Sequence, residues 1–170
     1  MSCQYLDDGN SKLSCAMAIV ETMVRKMNLC SDTSITIHVQ AFDSQVYEVV
    51  EQMEVLSSVT DVDNIVAKIR TIQSNIGSTN IGRALLTTNR TIRRYLETCD
   101  DERTDVVHIM MTDGYITHGS HMIEDINAFG GSNHKMVCIG MGREHNNRLL
   151  SSMCSTPNDE YDCINGHGRS

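Results

Sequence analysis

The stretch from Thr104 to Gly114, Thr-Asp-Val-Val-His-Ile-Met-Met-Thr-Asp-Gly, limits the possible folds more than any other part of the chain. From Val106 to Met111 it is a nearly unbroken apolar run rich in β-formers, which predicts a strand buried on both faces. Such a strand belongs to a parallel sheet with helices above and below it. Ligands of these sheets gather beyond the carboxyl ends of the strands. Asp113 follows the run directly and is therefore a candidate site residue.

The rest of the chain alternates strands with helices. Residues 3–6 read as a short strand followed by Asp7-Asp8-Gly9-Asn10-Ser11. A helix is predicted from Lys12 to Asn28, with Leu13, Ala16, Met17, Val20, Val24 and Met27 facing inward. Ile35 to Phe42 alternates apolar with polar residues and reads as a strand; Asp43-Ser44 turns it into a partner strand over Val46–Val50. Residues 51–60 read as polar and irregular. Helices follow over Val62–Ile72 and Ile81–Glu97, separated by a loop at 74–80. The second helix is expected to turn Leu85, Ile92, Tyr95 and Leu96 inward and Arg90, Arg93 and Arg94 to water. A helix over Ser120–Phe129, a strand over Lys135–Gly140, a helix over Asn146–Cys154 and an edge strand over Glu160–Ile164 complete the pattern. The fold class is α/β, doubly wound, with a mostly parallel central sheet, one antiparallel edge hairpin strand and helices on both faces. A single domain is expected over residues 1–165, with a frayed tail at 166–170.

Composition narrows the function. With a net charge of −8, nucleic acid and anionic membrane are excluded as principal partners. No apolar run is long enough to cross a bilayer, and the first residues lack the features of a secretory signal. The seven cysteines, Cys3, Cys15, Cys30, Cys99, Cys138, Cys154 and Cys163, form no Cys-x-x-Cys pair. An odd number without a signal peptide predicts reduced thiols and a cytoplasmic setting. The chain has no Gly-x-Ser-x-Gly elbow, no phosphate loop ending in Lys-Ser/Thr and no His-Glu-x-x-His, so it reads as a non-enzyme.

Three loops carry oxygen ligands: Asp7-x-Gly9-x-Ser11, Gly77-Ser78-Thr79-Asn80 and Thr112-Asp113-Gly114. Each alone has an ordinary explanation, since Asp and Ser cap helices and Gly-Ser-Thr-Asn makes turns. Their order within the alternating frame is what distinguishes them. Over nearly its whole length the chain resembles the von Willebrand factor A-type domain, the fold of integrin inserted domains. That family's metal-ion-dependent adhesion site (MIDAS) uses Asp-x-Ser-x-Ser after the first strand. It adds a Thr before a helix of the form x-Gly-x-Ala-Leu, and an Asp in a Thr-Asp-Gly turn. Asp7 and Ser11 match the first motif, Thr79 the second and Asp113 the third. Ala41-Phe42-Asp43-Ser44 and Cys138-Ile139-Gly140-Met141-Gly142 match two further family segments. Gly9 stands where the family has its first serine. Little chain follows the last expected strand, where the family places a C-terminal helix that transmits conformational change.

The resemblance implies a protein–protein interaction module that binds Mg²⁺ or Mn²⁺ through Asp7, Ser11, Thr79 and Asp113, with a partner's Asp or Glu carboxylate completing the coordination. Two carboxylates and two hydroxyls are hard ligands suited to such an ion. At position 9 a water can replace the absent hydroxyl. Gly9, Asn80 and Tyr115 are candidates for supporting the ligands or touching the partner, although Asn80 is equally explained as a helix cap. The alternative is a metal-free scaffold of the same fold, its MIDAS degenerate at Gly9, that binds partners by other surfaces. Asp7-Asp8 is also similar to the acidic pair of phosphoacceptor receiver domains, but Lys135 falls at the wrong end of its strand for that chemistry. His118-x-x-His121 lacks a third metal ligand nearby. His38 and His108 fall within strands and read as core or half-buried residues.

Overall fold

The computed structural model describes residues 9–29, 34–55, 58–73, 79–98, 104–112, 134–141, 147–154 and 161–164; for 9–11, 52–55, 147 and 161–164 it describes the backbone only. In chain order the elements are α1 (Gly9–Met27), β1 (Thr36–Phe42), β2 (Val46–Val55), α2 (Val59–Ile69), α3 (Ile81–Thr98), β3 (Val106–Thr112), β4 (His134–Met141), α4 (Asn147–Met153) and β5 (Tyr161–Ile164). The α/β character expected from the alternating pattern is present. β1 and β2 form an antiparallel hairpin, whereas β3, β4 and β5 form a parallel sheet in that order. The expected first strand at 3–6 and the helix at 120–129 lie outside the described residues.

Alternation along β1 explains how helices come to lie on both of its faces. Ile37 and Val39 pack into a cluster formed by Val24 of α1, Val50 of β2 and Val62, Ile65, Val66 and Ile69 of α2. On the opposite face, the Thr36 hydroxyl lies 3.1 Å from the Tyr95 hydroxyl and the Thr88 hydroxyl lies 2.6 Å from Gln40 Oε1, both reaching α3. Phe42 packs against a second cluster of Ile81, Leu85, Met110, Met136, Cys138, Leu150 and Met153. A strand with period-2 side chains thus serves two cores at once. The parallel sheet joins the second core through Met110, Met136 and Cys138.

Ser58 starts α2: its side chain accepts a hydrogen bond from the Asp61 backbone N–H at 3.3 Å, and Asp61 adds negative charge to the first turn. A bidentate contact clamps α2 to α1, with Arg70 Nη2 and Nε at 2.7 and 3.2 Å from Glu21. Hydrogen bonding from Arg70 is the main reason the Glu21 carboxyl is held below its ordinary range. Arg25 extends the cluster to Glu21 and Asp63.

Three expectations are corrected. Residues 51–60 are largely regular: β2 runs on to Val55 and α2 begins at Val59. Register shifts opposite Ile37–Gln40 give β2 extra residues relative to β1, and such bulges break the alternation that marks a strand in sequence. Leu96 is exposed: the buried stripe of α3, through Ile81, Leu85, Asn89 and Ile92, ends one turn before it. Val107, near the start of β3, is 58 % exposed, so that strand is fully buried only toward its carboxyl end, at Met110 and Thr112. Arg90, Arg93 and Arg94 are exposed as expected. Among the described residues, no helix is long and apolar enough to cross a membrane.

His108 of β3 and His134 of β4 lie side by side, ring centroids 6.3 Å apart and planes 12° from parallel. His108 Nδ1 and His134 Nε2 are buried without a hydrogen-bond partner among the described residues. Burial, and secondarily the neighbouring His134, lowers the His108 pKa to about 4. An unfolded histidine titrates near 6.5, so the folded state resists the proton that the unfolded state takes up. The stability contributed by neutral His108 is therefore complete above about pH 6.5 and is lost as pH falls from there toward 4. Denaturant titrations should show a loss of about 2 kcal/mol between pH 7.5 and pH 5 from this group. The loss should be largely absent from His108→Leu, whatever that variant's absolute stability.

Candidate functional site

Among the described residues, the start of α3 is what positions Thr79. The Asn80 backbone N–H donates to the Asp43 carbonyl at 2.8 Å, which ties the loop before α3 to the carboxyl end of β1. The Asn80 side chain accepts from the Arg83 backbone N–H at 3.0 Å, and its carbonyl accepts from Ala84 N–H at 3.2 Å. Asn80 is the N-cap of α3, which is the capping role allowed for it by the sequence. Ile81 follows and is fully buried against the second core. Thr79, half-buried, immediately precedes Asn80 and so stands next to this bridge.

The turn that receives Asn80 is itself braced. Asp43 accepts the Gln45 backbone N–H at 2.7 Å and the Ser44 and Tyr47 hydroxyls at 3.2–3.3 Å. A carboxylate bonded to its own turn in this way makes the hairpin end a fixed platform. The second core contains Phe42 near the end of β1, Ile81 at the start of α3 and Met110 near the end of β3. Ile81 and Met110 thus share one core, with Thr79 two residues before the first and Thr112 two residues after the second.

The predicted ligands fare differently. Thr79 is placed as described. Ser11 falls in the first turn of α1, which begins three residues earlier than the sequence suggests, so Gly9 and Ser11 are helical rather than in the preceding loop. Asp7, Asp113 and Tyr115 lie outside the described residues, as do His118 and His121. Among the described residues, no group of three His, Cys, Asp or Glu side chains could hold a metal ion.

Beside the platform, sequence reasoning missed a polar connection. Gln40 Nε2 donates to Glu48 Oε1 at 2.5 Å, while Thr88 shares its hydroxyl proton between Gln40 Oε1 and the Ala84 carbonyl at 3.0 Å. His38 Nε2 lies 2.9 Å from Glu48 Oε2. Burial lowers the His38 pKa, partly offset by Glu48. The chain Thr88–Gln40–Glu48–His38 links α3, β1 and β2. A signal was available: Thr36, His38 and Gln40 put polar groups on the strand face opposite Ile37 and Val39.

If Asn80 seats α3, removing its side chain should leave the Arg83 N–H without that partner. Asn80→Ala is expected to cost about 1 kcal/mol, read as a fall of roughly 2–4 °C in melting temperature, with Asn80→Asp or Asn80→Ser restoring most of it.

No protein-family model matches the sequence, and no curated protein matches it as a relative. Solved structures do match its fold. Proximal thread matrix protein 1 (PTMP1) from the mussel byssus aligns with a TM-score of 0.67 at 19 % identity, covering 92 % of this chain and 39 % of that protein. A further structure of PTMP1 has a zinc-occupied MIDAS motif, with a TM-score of 0.68 at 18 % identity. The manganese-loaded TRAP protein of Plasmodium vivax aligns at 0.63 and 20 % identity, over 89 % of this chain and 60 % of that one. BatB, a conserved hypothetical protein of Bacteroides thetaiotaomicron, aligns at 0.61 and 12 % identity, over 90 % and 80 %. This chain spans about two fifths of the length of PTMP1. These alignments over nine-tenths of its length agree with the motif order and the α/β architecture: the chain has the fold of the von Willebrand factor A-type domain.

Proposed function

We propose that this domain is a protein-interaction module whose site at the carboxyl ends of β1 and β3 binds Mg²⁺ or Mn²⁺. Ser11 and Thr79 would ligate the ion directly, and Asp7 and Asp113 chiefly through water. A hard divalent ion suits two carboxylates and two hydroxyls. When bound, the ion offers an open coordination position to a carboxylate on a partner protein. That contact is strong because both charges are partly desolvated.

The observation that carries this reading is the seating of Thr79, through Asn80 and Ile81, beside the core that also receives the carboxyl end of β3. Proteins of similar fold support a divalent cation in general, since PTMP1 has a zinc-occupied MIDAS motif and the P. vivax TRAP protein is manganese-loaded. The role is binding rather than catalysis, in a compartment that keeps thiols reduced.

One feature favours a second reading. Gly9 removes a hydroxyl from the first motif, and on that ground a metal-free scaffold binding through other surfaces is the alternative. Thermal melts separate the two, because an ion that binds only the native state must raise the midpoint. At a concentration 100-fold above the dissociation constant the gain is about 2.7 kcal/mol, a rise of roughly 5–10 °C. Millimolar Mg²⁺ or Mn²⁺ should produce it in the native protein but not in Thr79→Ala or Asp113→Ala. An unchanged midpoint in the native protein would leave the scaffold reading standing.

A further inference from the structure

Cys138 lies in the middle of β4 and is fully buried. Cys154 directly follows α4, the helix that returns from β4 and packs back on it, and is only half-buried. Cys154 packs against the buried cluster to which Cys138 belongs, and the two thiols are close enough to interact. Cys154 Sγ also lies 3.4 Å from the Leu150 carbonyl, so its position is fixed by the last turn of α4. Both cysteines are free, and both belong to the core that braces the start of α3.

We propose that Cys138 and Cys154 form an oxidation site, a dithiol that a small-molecule disulfide such as oxidised glutathione converts into an intramolecular disulfide tying the end of α4 to the middle of β4. Cys154, the more accessible of the two, is the entry point. Its thiolate attacks one sulfur of oxidised glutathione, breaking that S–S bond, forming a mixed disulfide and releasing one glutathione thiolate. Cys138 then loses its proton to solvent and attacks Cys154 Sγ, and the second glutathione leaves as a thiolate. The protein loses two electrons and two protons, and one glutathione disulfide becomes two thiols. Burial first, and the adjacent Cys154 next, push the Cys138 thiol well above its ordinary range. The second step is therefore the slow one and speeds up with pH.

The position of the pair gives the bond a consequence. Closing a loop of about 16 residues restricts the unfolded chain, which raises the melting temperature by roughly 5–10 °C. In a reducing compartment a disulfide of this kind is a transient response to oxidation rather than a permanent staple.

The test is to incubate the purified protein with graded ratios of reduced to oxidised glutathione, quench by alkylation and digest. Trypsin with a glutamate-specific protease cuts after Lys135, Arg143, Arg148 and Glu160, which separates Cys138 and Cys154 from each other and from Cys163. The expected product is the fragment pair 136–143 and 149–160, joined and about 2 Da lighter than the sum of the two free thiol fragments. It should be lost with dithiothreitol. The rise in melting temperature should accompany it and be absent from Cys154→Ser, a change on the accessible side that spares the buried thiol. Recovery of Cys154 only as a glutathione adduct, with Cys138 fully alkylated, would overturn the proposal. So would a disulfide joining Cys154 to any other cysteine.

Discussion

A single main-chain hydrogen bond, from Asn80 to the Asp43 carbonyl, holds the start of α3 against the end of β1. It joins two segments that are distant in sequence, and it does so where the strand's own ladder stops. Burial of Ile81 on the adjoining core secures the same junction by a different force, the removal of a large aliphatic side chain from water. With both in place, the position of Thr79 depends on a capped helix end and a braced turn. A hydroxyl presented in that way loses little conformational freedom on binding a ligand.

β1 matters as much, because it is shared between the two cores. Its odd-numbered apolar residues meet α1 and α2, while its even-numbered residues meet α3 through hydroxyl, amide and aromatic groups. The second face is more polar than an ordinary core. It accommodates this by pairing Thr36 with Tyr95 and Gln40 with both Thr88 and Glu48. His108 Nδ1 and His134 Nε2 are buried without a hydrogen-bond partner among the described residues. Asn89 Oδ1 is likewise buried without a partner among the described residues, in the middle of the inward stripe of α3.

Much of this was legible in the residues. Apolar periodicity located α1, α2 and α3 to within three residues, since each has one face against a core. The parallel sheet was legible from the apolar runs that became β3 and β4. What escaped was decided by pairing at a distance. Bulges in β2 erased the alternation over Glu51–Val55, so a regular strand looked irregular. Leu96 lies on the inward stripe of α3 by periodicity, but the core covers that helix only as far as Ile92. The early start of α1 at Gly9 was hidden because glycine and asparagine are weak helix formers whose place at a helix end is set by context.

Sequence alone determined the alternating α/β order and, to within a turn, where α1, α2 and α3 lie along the chain. These depend on local periodicity and on the bonding habits of single residues, which neighbours along the chain suffice to reveal. Only the tertiary structure decided that Asn80 binds the Asp43 carbonyl, that Gln40 joins Thr88 to Glu48, and that Cys138 and Cys154 meet at one packed cluster. Those contacts form between segments whose separation in the chain carries no information about their distance in space. They arise when packing of the two cores brings the strands and helices together.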